Sequence, residues 1–155
     1  MWPWKKSNNT TDTKNTTPDI ISTDLNSVKE AIRAFANDAP TGVTTKVLVK
    51  HDHTIDFELL VPYLKGLPEK DYYMSKETYE VFEENEKDIP KYLDLVQAAV
   101  DAFVNMHQQT PKIPGDPYHK VSYLLLENNG LIHERPPIDF YLTDSENLIT
   151  HKKPE

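Results

Sequence analysis

Two short stretches of this chain carry side chains able to do chemistry. In His51-Asp52-His53, residues i and i+2 of an extended chain share one face, so two imidazoles there could chelate a divalent cation. A metal centre needs a third or fourth ligand, and no His-x-x-x-His spacing supplies one, so none is expected. The commoner use of such residues is a polar hairpin turn. The second stretch is Ile113-Pro114-Gly115-Asp116-Pro117-Tyr118-His119-Lys120. A stiff Pro/Gly loop can hold side chains in fixed directions, and Asp116 with His119 offers an orienting carboxylate and a general base. Tyr118 and Lys120 are the matching candidates for binding. A tight crossover between helix and sheet explains the prolines equally well, and Ser122 has no nucleophile-elbow context.

Other chemistries are closed. With no cysteine in 155 residues, disulfides, thiolate zinc sites and cysteine nucleophiles are excluded. Four glycines leave no room for phosphate-binding or dinucleotide loops. No cofactor is expected. Glu69 to Asp94 holds nine acids against four lysines but lacks the alternating oxygen ligands and central Gly of a calcium loop, so it reads as a solvated face. The eight tyrosines are many for this length, and tyrosine is a residue of core edges and interfaces.

These residues must be positioned by a domain that starts after a polar tail. Residues 1–23 are rich in Thr and Asn and read as disordered. Their three lysines and two aspartates make them +1, so the chain's net charge of -8 leaves -9 for the rest. Such a field repels phosphate backbones and argues against nucleic acid as a partner. The tail opens Met1-Trp2-Pro3-Trp4-Lys5-Lys6, where Trp2, Trp4, Lys5 and Lys6 pair aromatics with cations in the manner of a weak peripheral membrane contact. There is neither a stretch of ~20 apolar residues nor an apolar signal region. The expected location is therefore cytoplasmic, at most peripheral at the inner face of the membrane.

Within 24–155, Leu25, Val28, Ile32 and Phe35 recur at helical spacing behind a cap at Thr23 or Asp24. Val43–Lys50 and Thr54–Leu60 alternate as two strands of a hairpin. Tyr72–Met74 suggests a short strand or apolar plug, and Ser75 a cap for a helix to about Asn85 with Tyr79 and Phe82 inward. Asp88 and Pro90 open a long central helix to about Gln109, marked by Leu93, Val96, Val100 and Phe103. Val121–Leu126 is compatible with helix or strand. Ile138–Leu142 and Leu148–His151 make a second hairpin around a polar turn. Strands adjacent in sequence and segregated from helices imply an α+β fold in which an antiparallel sheet of two hairpins packs against three or more helices, in a single domain.

Three phrases carry a resemblance: Tyr72-Tyr73-Met74-Ser75-Lys76-Glu77-Thr78-Tyr79, Ile113-Pro114-Gly115-Asp116-Pro117-Tyr118, and Tyr141-Leu142-Thr143-Asp144 with Leu148-Ile149-Thr150-His151. Over about residues 24–155 the chain resembles short uncharacterised proteins of the Bacillus group of Gram-positive bacteria, a domain of unknown function. That resemblance implies no active-site residue. Together these readings point to a non-enzymatic interaction or regulatory domain with a protein partner. The alternative is a small hydrolase or metal-dependent enzyme built on Asp116 and His119.

Overall fold

The computed structural model describes residues 17–154 and is a mixture of helices and short strands. Helix α1 spans Leu25–Asp38, α2 Val61–Leu64, α3 Ile89–His107 and α4 Tyr123–Asn128. The strands are β1 Ile20–Ile21, β2 Leu67–Pro68, β3 Tyr73–Met74, β4 Val81–Phe82, β5 Tyr141–Leu142 and β6 Ile149–Thr150. They make three separate two-stranded pairs, β1 with β2 in parallel and the other two antiparallel, rather than one sheet of two hairpins. No described helix is long and apolar enough to cross a membrane.

The helix ends follow from local chemistry. Asp24 accepts a hydrogen bond from Ser27 N at 2.8 Å and starts α1, which stops before Pro40. Pro90 sits in the first turn of α3, where its missing N–H leaves no bond unmade. Ser122 accepts from Leu125 N and starts α4, settling the segment whose sequence suited helix or strand.

Two expected elements are corrected. Of the Val43–Lys50 and Thr54–Leu60 hairpin, one bridge survives, Val49 with Ile55. Its flanks are 3-10 turns at Thr45–Leu48 and Phe57–Leu60, the latter capped by Asp56, which accepts from Glu58 N. Leu48 and Leu60 are fully buried while Val43 and Val47 lie exposed, so burial follows the turns and not the alternation. The expected helix after Ser75 is instead the connection of the β3–β4 hairpin. Phe82 points inward as expected, but Tyr79 is exposed, with left-handed backbone at φ 63°.

That hairpin stands between two cores. Tyr73 pairs with Phe82 and both face a cluster built on α3, α4 and β5–β6, with Leu93, Val96, Leu126 and Phe140 at its centre. Met74 pairs with Val81 and both face a second cluster with Val28, Leu48, Ile55 and Leu60. The period-2 alternation of a strand thus lets two residues per strand serve both cores.

Ile20 and Ile21 fall within the stretch read as tail, yet they pair with Leu67 and Pro68. Gly66 permits it: a Cβ there would lie 2.5 Å from Ile21 Cγ2 and 2.8 Å from Asp19 O. Gly66→Ala should push residues 19–21 off at a local cost of about 1–2 kcal/mol. Amide exchange checks this: the Leu67 and Glu69 amides, which donate to Asp19 O and Ile21 O, should lose protection while α3 keeps its own.

The cores also predict an alkaline limit. Burial raises the phenol pKa of Tyr72 and Tyr123, and pushes Tyr73 up to about 12, with help from its hydrogen bond to Glu84. A raised acid favours the neutral form in the fold. Its stabilisation is complete below the ordinary value of 10.0 and fades as pH rises from there through about 12. Phenolate absorbance should therefore include a late wave from Tyr72, Tyr73 and Tyr123 that coincides with loss of near-ultraviolet dichroism. Ionisation of these three near the ordinary value in an intact fold would contradict this.

Candidate functional site

The Pro-rich loop does not assemble the expected dyad. Asp116 Oδ2 accepts from Tyr118 N and from Lys120 N, both at 3.0 Å, so the carboxylate closes the loop on its own backbone. The Lys120 N–H is the leading cause that holds this carboxyl below its ordinary pKa. The His119 ring, exposed on left-handed backbone, has Lys112 Nζ 3.5 Å from its Nδ1. Lys120 Nζ lies 3.5 Å from Asp139 Oδ2, and Tyr118 lies under Lys153 Nζ at 4.3 Å. Lys112 and His119 do share one cavity, of about 170 Å³, with Leu142, Thr143, Asp144 and Asn147 of the final hairpin.

Nor do His51 and His53 share a face. The turn places His53 at φ 72°, half-buried, with His51 exposed. Among the described residues, no three His, Asp or Glu side chains are grouped to hold a metal ion. Trp2, Trp4, Lys5 and Lys6 lie outside the described residues.

The organised polar centre is one the sequence reading missed, around Asp94 of α3. Its Oδ1 accepts from Ser75 Oγ at 2.5 Å and Glu77 N at 3.1 Å. Its Oδ2 accepts from Lys76 N at 2.9 Å and His53 Nε2 at 2.7 Å. Ser, His and Asp are all present, but in an order that cannot generate a nucleophile. The Ser75 hydroxyl donates to the carboxylate rather than to an imidazole, and its oxygen accepts from Glu77 N and Thr78 N. Ser75 is also fully buried. The arrangement is a staple: one carboxylate from α3 fixes the connection between β3 and β4.

A signal for it existed. Asp94, Gln97 and Asp101 recur at spacings of three and four along α3, a polar stripe beside the apolar one. Gln97 is buried. Its Nε2 donates to Asn147 O at 2.9 Å and to Asp101, and its Oε1 accepts from Ile149 N at 3.0 Å, clamping the final hairpin to α3.

What the stapled connection presents is Tyr79. Ser75 O accepts from Tyr79 N at 3.0 Å and Ser75 N donates to Glu80 O at 2.9 Å, which hold Tyr79 in its left-handed conformation. Tyr79 and Val81 face α1 across a groove of about 340 Å³. The α1 wall is Lys29, Ile32, Arg33 and Ala36, spaced i, i+3, i+4 and i+7 on one helix face, and Thr45 closes an end. Glu80 borders the groove with its carboxylate 3.9 Å from His151 Nδ1, and His151 Nε2 lies 3.5 Å from Glu86.

No curated protein and no solved structure matches the chain. One family does match. Its model, described as a protein of unknown function (DUF3939), covers residues 18–151, from just before β1 to just after β6, and the chain belongs to that family.

Proposed function

We propose that the chain is a non-enzymatic interaction or regulatory domain of a Gram-positive bacterium, cytoplasmic, which docks a protein partner in the groove between α1 and Tyr79. The observation that carries this reading is Tyr79 itself, the exposed one of eight tyrosines, held on a stapled connection across from Ile32 and Ala36 of α1. An aromatic anchor fixed before binding loses little conformational freedom on docking, and tyrosine is enriched among the residues that dominate interface energetics. The enzyme alternative has less support, since Asp116 holds its own loop and Asp94 holds another. The net charge of -8 disfavours nucleic acid.

The test is a photoreactive benzophenone side chain placed at Ala36, on the groove's exposed rim, or at Leu95, an exposed apolar residue of α3, in living cells. The reading expects a protein adduct from position 36 and none from 95, competed by excess wild-type chain but not by Tyr79→Ala. Equal adducts at both positions, or none at 36, would overturn it. The tail adds a second contact to the proposal: Trp2 and Trp4 at the surface of anionic lipid, with Lys5 and Lys6 beside the headgroups. Co-sedimentation with phosphatidylglycerol vesicles should fall in Trp2→Ala/Trp4→Ala, and binding unchanged by that pair would remove the membrane from the account.

A further inference from the structure

The groove has a charge pattern opposed to that of the molecule. Lys29 and Arg33 stand one helical turn apart at its α1 wall, and among the described residues neither makes an ion pair within 4 Å. In a chain of net charge -8, two cations left without carboxylate partners beside an apolar floor are a local inversion of sign. Glu80 also lines the groove, its carboxylate 3.9 Å from His151 Nδ1, so the two cations outnumber the one carboxylate there. The floor between is Ile32 and Val81, with the Tyr79 ring as the facing wall.

The groove's shape selects among occupants. At about 340 Å³ it sits near the lower end of small-molecule pockets, which span roughly 300–1,000 Å³ and enclose most of their ligand. Here Arg33, Ala36 and Tyr79 on the rim are exposed, so the groove lies open along its length and suits one or two side chains of a longer chain. The chain's own N-terminal segment has the wrong sign, with Lys5 and Lys6 directly after its tryptophans.

We infer that the groove takes an acidic peptide segment of the partner: one large apolar side chain seated against Ile32, Val81 and Tyr79, with neighbouring Asp or Glu carboxylates meeting Lys29 and Arg33. This rests on the docking reading above and adds its chemistry. The acidic body slows the approach of such a segment at a distance. Within a Debye length of roughly 8 Å at physiological salt the adjacent cations dominate, which favours a short acidic motif over a broadly acidic protein. Arginine adds a planar fork that can hold a carboxylate by two bonds.

The test is selection of a displayed random twelve-residue peptide library against the full-length protein, counter-selected against the Lys29→Glu/Arg33→Glu variant. Enriched peptides should combine an aromatic or large aliphatic residue with at least two adjacent acids. As synthetic peptides they should perturb the amides of Ile32, Ala36 and Tyr79, and lose at least tenfold in affinity for the doubly reversed variant. If that variant misfolds by circular dichroism, Lys29→Gln/Arg33→Gln serves instead, with a loss of at least threefold expected. Basic or uncharged winners, affinity unchanged by either double variant, perturbation elsewhere, or no enrichment would each overturn the inference. So would a tenfold gain in affinity on Trp2→Ala/Trp4→Ala, which would make the tail the occupant. An adduct at position 36 with no acidic preference would leave the docking reading standing and remove its chemistry; failure of both would remove the groove.

Discussion

Asp94→Ala should destabilise the protein by about 3 kcal/mol, because it leaves Ser75 Oγ, Lys76 N, Glu77 N and His53 Nε2 without their acceptor. Charge-assisted hydrogen bonds contribute about 1.5–3 kcal/mol each, but the four donors share one carboxylate and their contributions do not add. The Asp94 side chain is 15% exposed, so water can re-satisfy only part of what is lost. Asp94→Asn keeps the shape while turning an amide N–H₂ toward donors, and should cost about 2 kcal/mol. Thermal melts of the three proteins check both values. A carboxylate whose role were proton transfer would behave otherwise, with the Asn variant melting like wild type.

Gln97→Leu is the second large effect. Leucine fills the space but leaves the Ile149 N–H and Asn147 C=O unpaired in the interior, at a cost of about 2–3 kcal/mol. The loss should be concentrated in β5–β6, since Gln97 ties that hairpin to α3. Amide exchange at Ile149 should rise more than at Val100, which lies within the helix core. A uniform change across the molecule would mean that Gln97 acts through packing alone.

Both residues belong to contacts between segments far apart in sequence, and that is where reading the sequence ran out. Helices α1 and α3 are legible because Asp24 and Pro90 mark their starts and the apolar spacing is sustained, although the Asp88 side chain makes no capping bond at α3. The strands at Tyr141–Leu142 and Ile149–Thr150 are legible because alternation flanks a polar turn and a partner follows at once. The resemblance to a domain of unknown function holds as well, over residues 18–151. Two elements differ from the expectation, each for its own reason. Val43–Leu60 alternates, but Asp56 and the burial of Leu48 and Leu60 favour tight turns. After Ser75 the cap signal is real, since its hydroxyl does accept from Thr78 N, yet a carboxylate nineteen residues on also claims the Ser75 hydroxyl and, with it, the next two amides.

The candidate site was less legible still. Asp116, Tyr118, His119 and Lys120 were singled out for standing on a Pro/Gly loop, and the loop is ordered by Asp116 itself. His53 does take part in a polar centre, through Asp94 rather than with His51. Tyr79 looked like one inward aromatic of a helix, and its exposure follows from a backbone conformation imposed by the staple. The groove joins α1 to a connection more than forty residues away, so no local pattern announces it.

The Asp94 carboxylate holds the connection that places Tyr79 over α1. Amide hydrogen exchange, resolved by residue in wild type and in Asp94→Ala, which removes both acceptor oxygens, is the decisive measurement. Lys76, Glu77 and Tyr79 should be protected in wild type and lose that protection together in the variant, while Val96 and Val100 in α3 change far less. Fast exchange at Lys76 and Glu77 in the wild-type protein, or protection there that survives the loss of the carboxylate, would contradict it.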